Sequence, residues 1–181
     1  TLPEVDPGIR FSGGHIHNSS PNAKREEPFS HSQVLAAIVF DLFAVLPMVG
    51  VLGPHYWEGE DVRRQYYGRA GSFRNQPHGI EYRALSAQGF LIHPVITYWM
   101  LNLTRDISNG SLVDFGADFE TTVQKLHKQF DLDVVQHVIN THDYEWVWEN
   151  WAKYYKNLLT LRGNGYSPRT PIRLMDVLVR A

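Results

Sequence analysis

The sequence predicts an α+β fold, because strand-like and helix-like stretches follow one another within one chain of 181 residues. Residues 10–19 form the first expected strand, and a second strand carries Glu81 and Arg83 at alternate positions, so that the two side chains share a face. Residues 30–49 have the broad apolar face of a helix. The chain length suits a single domain with a substantial core.

Further helices are expected in the rest of the chain, at residues 61–67, 86–102, 115–129, 131–139 and 143–161. The last of these is rich in tryptophan and tyrosine at helical spacing, which is more typical of packing than of base stacking. We therefore expect one domain in two parts: residues 1–112, which hold the charged motifs, and residues 113–181, a helical and aromatic-rich extension.

Composition narrows the classes of function. The hydrophobic fraction of 43% and the charged fraction of 20% are typical of globular proteins. The net charge of −2 and the lack of a polybasic run predict no nucleic-acid partner. The chain contains no cysteine, which excludes disulfides and thiolate metal sites. The longest apolar stretch, residues 34–52, is interrupted by Asp41 and Pro47, so we expect no membrane span.

Residues 66–86 carry most of the candidate chemistry. Arg69 and Arg74 lie five positions apart among small residues, and Glu81 and Arg83 follow on the second strand. Arginine forks suit phosphate and carboxylate oxygens, and a neighbouring carboxylate can hold a hard cation such as Mg²⁺. Taken separately, the arginines could form a solvated turn, and the Glu81–Arg83 pair could be an ordinary ion pair on a sheet.

The first strand carries a second candidate motif. His15 and His17 share one strand face after a pair of glycines, where imidazoles can bind a metal or contact a phosphate. The plainer alternative is a polar strand face with surface histidines. A metal-dependent hydrolase would use both histidines, but it would leave the arginine cluster unexplained.

Carboxylates elsewhere are given structural interpretations. Asp41 lies on an otherwise apolar helix, and we expect it to accept hydrogen bonds rather than to bind a ligand. Glu58 and Glu60 precede a helix and are expected to interact with its dipole rather than with a cation. Considered together, the remaining signals favour one site: a cation held by His15 and Glu81, beside arginines that bind phosphate and carboxylate oxygens.

These motifs resemble the glutamine synthetase-like superfamily of carboxylate–amine ligases, and most closely its phage-type COOH–NH2 ligases, or amidoligases. The G-x-H-x-H-x-S strand of that superfamily corresponds to residues 13–19. The phage-type patterns G-G-H-I-H, R-R-x-x-Y-G, A-G-x-F-R and G-x-E-Y-R-x-L-S match residues 13–17, 63–68, 70–74 and 79–86. The resemblance covers residues 10–102.

The resemblance implies a curved, mostly antiparallel sheet backed by helices, and an ATP-dependent ligase that forms an amide through an acyl phosphate. His15 and Glu81 would bind Mg²⁺. Contacts to ATP would come from a set of strand and loop side chains: His17, Ser19, Arg64, Arg69 and Arg74. Arg83, Arg69 and Glu81 would be the catalytic residues. The substrates would be a small-molecule or peptide carboxylate and an amine.

The acidic metal-binding motif that the family carries upstream has no counterpart before Thr1. We therefore expect the C-terminal half of such a ligase, completed by an N-terminal half or by a partner chain. The alternative is a non-catalytic structural or assembly protein of the virion type that retains the ligase scaffold. A cytoplasmic location is expected, which would be the host cytoplasm if the protein is encoded by a phage.

Overall fold

A three-stranded antiparallel sheet carries the residues singled out by the sequence. The structure is a computed structural model that describes residues 13–19, 31–54, 57, 60–76, 79–87, 94–108 and 118–160. Strands β1 (Gly13–Ser19), β2 (Phe73–Gln76) and β3 (Gly79–Ser86) are arranged in the order β1-β3-β2. The central strand β3 is buried along almost its whole length. Ile80, Tyr82 and Ala84 share one face, and Glu81 and Arg83 lie on the other.

One long apolar helix lies behind the sheet. It consists of α1 (His31–Phe40), a π-helical turn (Asp41–Val45) and α2 (Leu46–Leu52), which confirms the helix predicted at residues 30–49. Its side chains form much of the core, and the ring of Phe40 stacks on that of Tyr82 with 4.8 Å between centroids. Pro47 lies in the first turn of α2, directly after the π-helical turn.

The same helix meets the length and hydropathy of a membrane span, contrary to the sequence-based expectation. Residues Gln33–Leu52 form 20 helical residues with a hydropathy of 2.5, but 83% of that window is buried inside the fold. This burial is typical of a core helix. The interruptions at Asp41 and Pro47 do not break the helix, because a π-helical turn and a first-turn position accommodate them.

Two further helices flank the sheet. Helix α3 (Glu60–Tyr66) coincides with the one predicted at residues 61–67. Helix α4 (Pro94–Ser108) begins later than expected: residues up to Ser86 belong to β3, and Pro94 occupies the first helical position. Strand β2 was not predicted.

The helical extension packs on the long central helix. It consists of α5 (Phe119–Phe130), α6 (Leu132–Thr141) and α7 (Tyr144–Thr160), close to the three helices predicted there. Asp118 caps α5 by accepting from the backbone N–H of Thr121 at 2.8 Å. The indole of Trp148 donates to the carbonyl of Gly50 at 2.7 Å, which ties α7 to α2. The predicted α+β class is confirmed, while the glutamine synthetase-like fold remains a prediction.

Candidate functional site

The register of the sheet places residues from all three strands in one row. On β1, His17 lies opposite Glu81, and on β2, Arg74 lies opposite the same residue. Directly opposed residues of neighbouring strands project to the same face of a sheet. The central strand therefore presents Glu81 between a histidine and an arginine, on the face that also receives Arg83.

Glu81 is the centre of the cluster. Its Oε1 atom lies 3.2 Å from Nδ1 of His15 and 3.2 Å from Nε of Arg83. Its Oε2 atom accepts a hydrogen bond from Nε2 of Gln76 at 2.7 Å and lies 3.7 Å from the guanidinium Nη1 of Arg74. Burial by itself would raise the pKa of Glu81, but the hydrogen bond from Gln76 and the guanidinium charges of Arg74 and Arg83 lower it. The carboxylate is therefore ionised and surrounded by donors.

His15 has a protein partner at each ring nitrogen. Nδ1 faces Glu81, and Nε2 is hydrogen bonded to the hydroxyl of Tyr67. The register of β1 on β3 shifts between Gly14 and Ile16, and this irregularity lies at His15. Burial is the largest cause that lowers the pKa of His15, and Glu81 only partly opposes it. His15 is thus a neutral imidazole at neutral pH, the form in which histidine binds metals. His17 is exposed on the same strand.

Arg83 connects the cluster to a neighbouring cleft. Its guanidinium carbon lies 4.3 Å from the centroid of the Tyr67 ring, in a cation–π arrangement. A cleft of about 310 Å³ lies beside the pair, lined by Gln65, Tyr66, Tyr67, Gly68, Arg69, Ser72, Phe73 and Arg83. Two of the three predicted catalytic residues, Arg69 and Arg83, therefore line one cavity, and the third, Glu81, contacts Arg83 at its edge.

Arg69, in the loop before β2, and Arg74, on β2, differ in their environment from Arg64. Arg69 is exposed and donates from Nε to the carbonyl of Arg64 at 3.0 Å, while Arg74 has a side chain that is 58% exposed. Both can reach an anion outside the protein surface. Arg64, in contrast, is 3% exposed.

Arg64 has partners that sequence reasoning did not foresee. It donates to the carbonyls of Gly68 and of Ala84 (the latter at 3.1 Å), and its Nε donates to Nε2 of His142 at 2.8 Å. These contacts satisfy buried backbone acceptors of the loop and of β3. The structure therefore gives Arg64 an interior position, and the predicted contact with ATP has no support from its surroundings.

The carboxylates outside the cluster have structural partners. Asp41 is buried and accepts from the hydroxyl of Tyr82, as its position on an apolar helix predicted. Glu60 begins α3 and accepts from Arg63 at 2.9 Å. Glu58 lies outside the described residues, as does the side chain of Ser19, whose backbone pairs with Gly79 at the end of β1.

Tyr67 and Gln76 are the site residues that sequence reasoning missed. Tyr67 bridges His15 and Arg83, and Gln76 donates to Glu81. Both lie within or beside the matched motifs, but a local pattern does not tell which aromatic or amide faces the cluster. The pairing of β2 with β3 would have been needed to find Gln76.

His15 and Glu81 fit two neighbouring positions around a small cation. Their facing atoms are 3.2 Å apart. Adjacent ligands of an octahedral Mg²⁺ with bonds of about 2.1 Å are separated by about 3 Å. The same glutamate oxygen also contacts Arg83. A divalent cation bound to Glu81 would therefore neutralise the carboxylate charge that the arginines neutralise in its absence.

The fold and the cluster define an α+β domain with a site of one carboxylate, imidazole and guanidinium groups on its sheet. The model of the family described as phage phiEco32-like COOH.NH2 ligase-type 2 matches residues 10–125, and the chain belongs to this family. The predicted resemblance to phage-type amidoligases is thereby confirmed, and every residue of the cluster lies within the match. Comparison with curated proteins and with solved structures gave no significant match.

Proposed function

We propose that this chain is an ATP-dependent carboxylate–amine ligase, or the part of one that carries its sheet site. The observation that carries the proposal is the convergence of His15, Arg74 and Arg83 on the buried Glu81, in a chain of a family named for COOH–NH2 ligation. The family name supports a ligase. The nucleotide, the metal and the mechanism are our inference from the charges.

The proposed reaction has two steps. A carboxylate oxygen of the donor attacks the γ-phosphorus of ATP, ADP leaves, and an acyl phosphate forms. The amine nitrogen then attacks the acyl carbon, the C–O bond to phosphate breaks, and the amine gives up a proton to solvent as the amide forms. Both steps gather negative charge on phosphate oxygens, so positioned cations lower their barriers.

The charge balance of the site favours an anionic ligand. Arg74 and Arg83 contribute two positive charges beside the Glu81 carboxylate, and Arg69 and Arg83 line the adjacent cleft, while the lowered pKa of His15 leaves its ring neutral. Together these residues carry more positive than negative charge. Phosphate and carboxylate oxygens are the ligands that guanidinium groups bind in bidentate fashion.

Each residue receives a distinct role in this proposal. His15 and Glu81 would hold Mg²⁺, which would neutralise phosphate charge when bound. Arg83, stacked on Tyr67 and already directed at Glu81, would steady the acyl phosphate. Arg69, in the loop before β2, and Arg74, on β2, would bind ATP phosphates with their exposed side chains. His17 and Ser19 would contact the nucleotide, as the family resemblance implies.

The test is isothermal titration calorimetry of ATP with and without Mg²⁺. We expect Mg²⁺ to tighten ATP binding by the native chain but not by the Glu81→Gln variant. In the presence of Mg²⁺, the variant should bind ATP about 10- to 100-fold more weakly than the native chain, which is the equivalent of one charge-assisted contact. Without Mg²⁺, Glu81→Gln should bind ATP at least as well as the native chain, because its arginines are no longer neutralised.

Glu120→Gln is the matched control, since Glu120 is exposed in the first turn of α5, outside the cluster and the cleft. It should keep the Mg²⁺ dependence of the native chain. An equal loss in both variants, or no ATP binding by the native chain at any Mg²⁺ concentration, would refute the proposal. The second outcome would favour the structural or assembly protein.

A further inference from the structure

We propose that Asn140 and Asp41 are positioning residues for the loop at residues 68–72, and so for the Arg69 guanidinium at its surface. Neither residue belongs to the charged cluster. The functional consequence rests on the ligase function proposed above, while the positioning itself does not.

The two side chains face consecutive backbone positions of the loop. The N–H of Ala70 donates to Oδ1 of Asn140 at 2.8 Å. Gly71 lies next to the carboxylate of Asp41, where a Cβ added to the glycine would be 3.8 Å from Oδ2, and its backbone N–H partly offsets the rise that burial causes in the pKa of Asp41. The carbonyl of Gly68 accepts from the interior side chain of Arg64. Three elements, α6, the π-helical turn and α3, thus reach the loop from the interior.

The loop depends on such contacts because it has little regular structure of its own. Gly68 and Gly71 have positive φ angles of 78° and 73°. Within the loop, the N–H of Ser72 donates to the carbonyl of Arg69 at 3.0 Å. Glycines with positive φ lose much conformational freedom on folding, so fixed acceptors are needed to hold them in one geometry.

Asp41 also links the loop to the strand of the cluster. Its carboxylate accepts from the hydroxyl of Tyr82, which lies between Glu81 and Arg83 on β3 and points to the opposite face. The π-helical turn that carries Asp41 interrupts an otherwise regular helix, and such turns are frequent at functional sites. One buried carboxylate therefore contacts both the loop and strand β3.

Asn140 extends the functional unit beyond the family match. It lies on α6 in the helical extension, whereas the family model ends at residue 125. The sequence assigned packing alone to this part of the chain. A hydrogen bond from the extension to the loop between two candidate phosphate ligands makes the extension part of the site's geometry.

The experiment compares Asn140→Ala with Asn140→Asp and with Asn150→Ala in the full chain. Aspartate keeps an acceptor for Ala70. Asn150 is a matched control on α7, where its amide donates to a carbonyl of its own helix at 2.9 Å. Amide hydrogen exchange at Ala70 and Gly71 is measured by NMR, together with ATP affinity in the presence of Mg²⁺.

We expect faster exchange at Ala70 and about fivefold weaker ATP binding in Asn140→Ala, the equivalent of one neutral hydrogen bond. Asn140→Asp should restore both, and Asn150→Ala should change neither. Exchange at Ala70 that is the same in Asn140→Ala and the native chain would overturn the proposal. If the native chain binds no ATP, the ligase proposal fails, and exchange alone decides the positioning.

Asp41→Asn gives a second test. Asparagine can accept from Gly71 through its oxygen while its amide donates to Tyr82, so this variant should keep slow exchange at Gly71. Asp41→Ala should lose it. Equal exchange rates in the two variants, each still folded by its NMR spectrum, would overturn the role assigned to Asp41.

Discussion

Replacement of Arg64 by methionine decides between its predicted contact with ATP and its interior position. Methionine approximates the volume of the arginine stem, so the cavity contribution is small. What is lost is the donor to three acceptors, which are the carbonyls of Gly68 and Ala84 and the Nε2 atom of His142. Each acceptor left unpaired in the interior costs about 1–3 kcal/mol, and local relaxation recovers part of the sum. We expect a loss of about 3 to 5 kcal/mol in the free energy of unfolding.

Urea unfolding followed by tryptophan fluorescence measures this loss. With an m-value of about 2 kcal/mol/M, the midpoint should fall by about 1.5 to 2.5 M at an unchanged m-value. Arg74→Met is the matched control, because the Arg74 side chain is 58% exposed and its ion pair should contribute no more than about 1 kcal/mol.

Two outcomes would contradict a structural role for the buried Arg64 side chain. If Arg64→Met unfolded at the native midpoint but no longer bound ATP, Arg64 would be a phosphate ligand and its interior contacts would contribute little. If both variants lost the same stability, burial would not be the reason for the loss.

Three further substitutions test the packing and the charge of the fold. Gly68→Ala should lower the free energy of unfolding, measured with urea, by about 1–3 kcal/mol more than Gly53→Ala does. Both glycines have positive φ angles, but only at residue 68 would the added Cβ lie 2.6 Å from a buried guanidinium, that of Arg63. Gly50→Ala should lower the unfolding midpoint, since its Cβ would lie 2.6 Å from Cγ1 of Val147, and Val147→Ala in the same chain should relieve that clash. Burial lowers the pKa of His142 from 6.5 to about 4. Between pH 4 and 6.5 the unfolded chain therefore binds more protons at this residue than the folded chain does, so the free energy of unfolding rises with pH in this range. His142→Gln should remove that part of the rise, at most about 1.4 kcal/mol per pH unit, in unfolding measured from pH 4.5 to 7.

Each of these three predictions would be contradicted by a different result. Equal losses from the alanine substitutions at Gly68 and Gly53 would show that backbone strain alone matters at both. A Gly50→Ala chain as stable as the native one would mean that α7 does not pack closely on α2. Parallel stability profiles of the native chain and His142→Gln would mean that this imidazole titrates in the folded chain as it does in the unfolded one.

The sequence predicted the parts of the fold that depend on local periodicity. The long apolar helix and the three helices of the extension follow from apolar residues at helical spacing. Strand β2 was missed because its four residues, Phe73–Gln76, include three polar side chains with little preference for strands. It forms because only two residues separate it from β3, with which it pairs in antiparallel fashion.

By itself, the sequence determined the α+β class, the family, and the identity of the charged residues, because motifs and periodicities are properties of neighbouring positions. Only the tertiary structure decided which of those residues meet. Strand pairing places Arg74 opposite Glu81, and the irregularity of β1 lies at His15, which contacts the same carboxylate. Arg64, in contrast, is buried in the interior. The partners that hold the loop lie far along the chain: Asn140 is 70 residues from Ala70. Such contacts depend on how helices and sheet pack, and no local pattern encodes that packing.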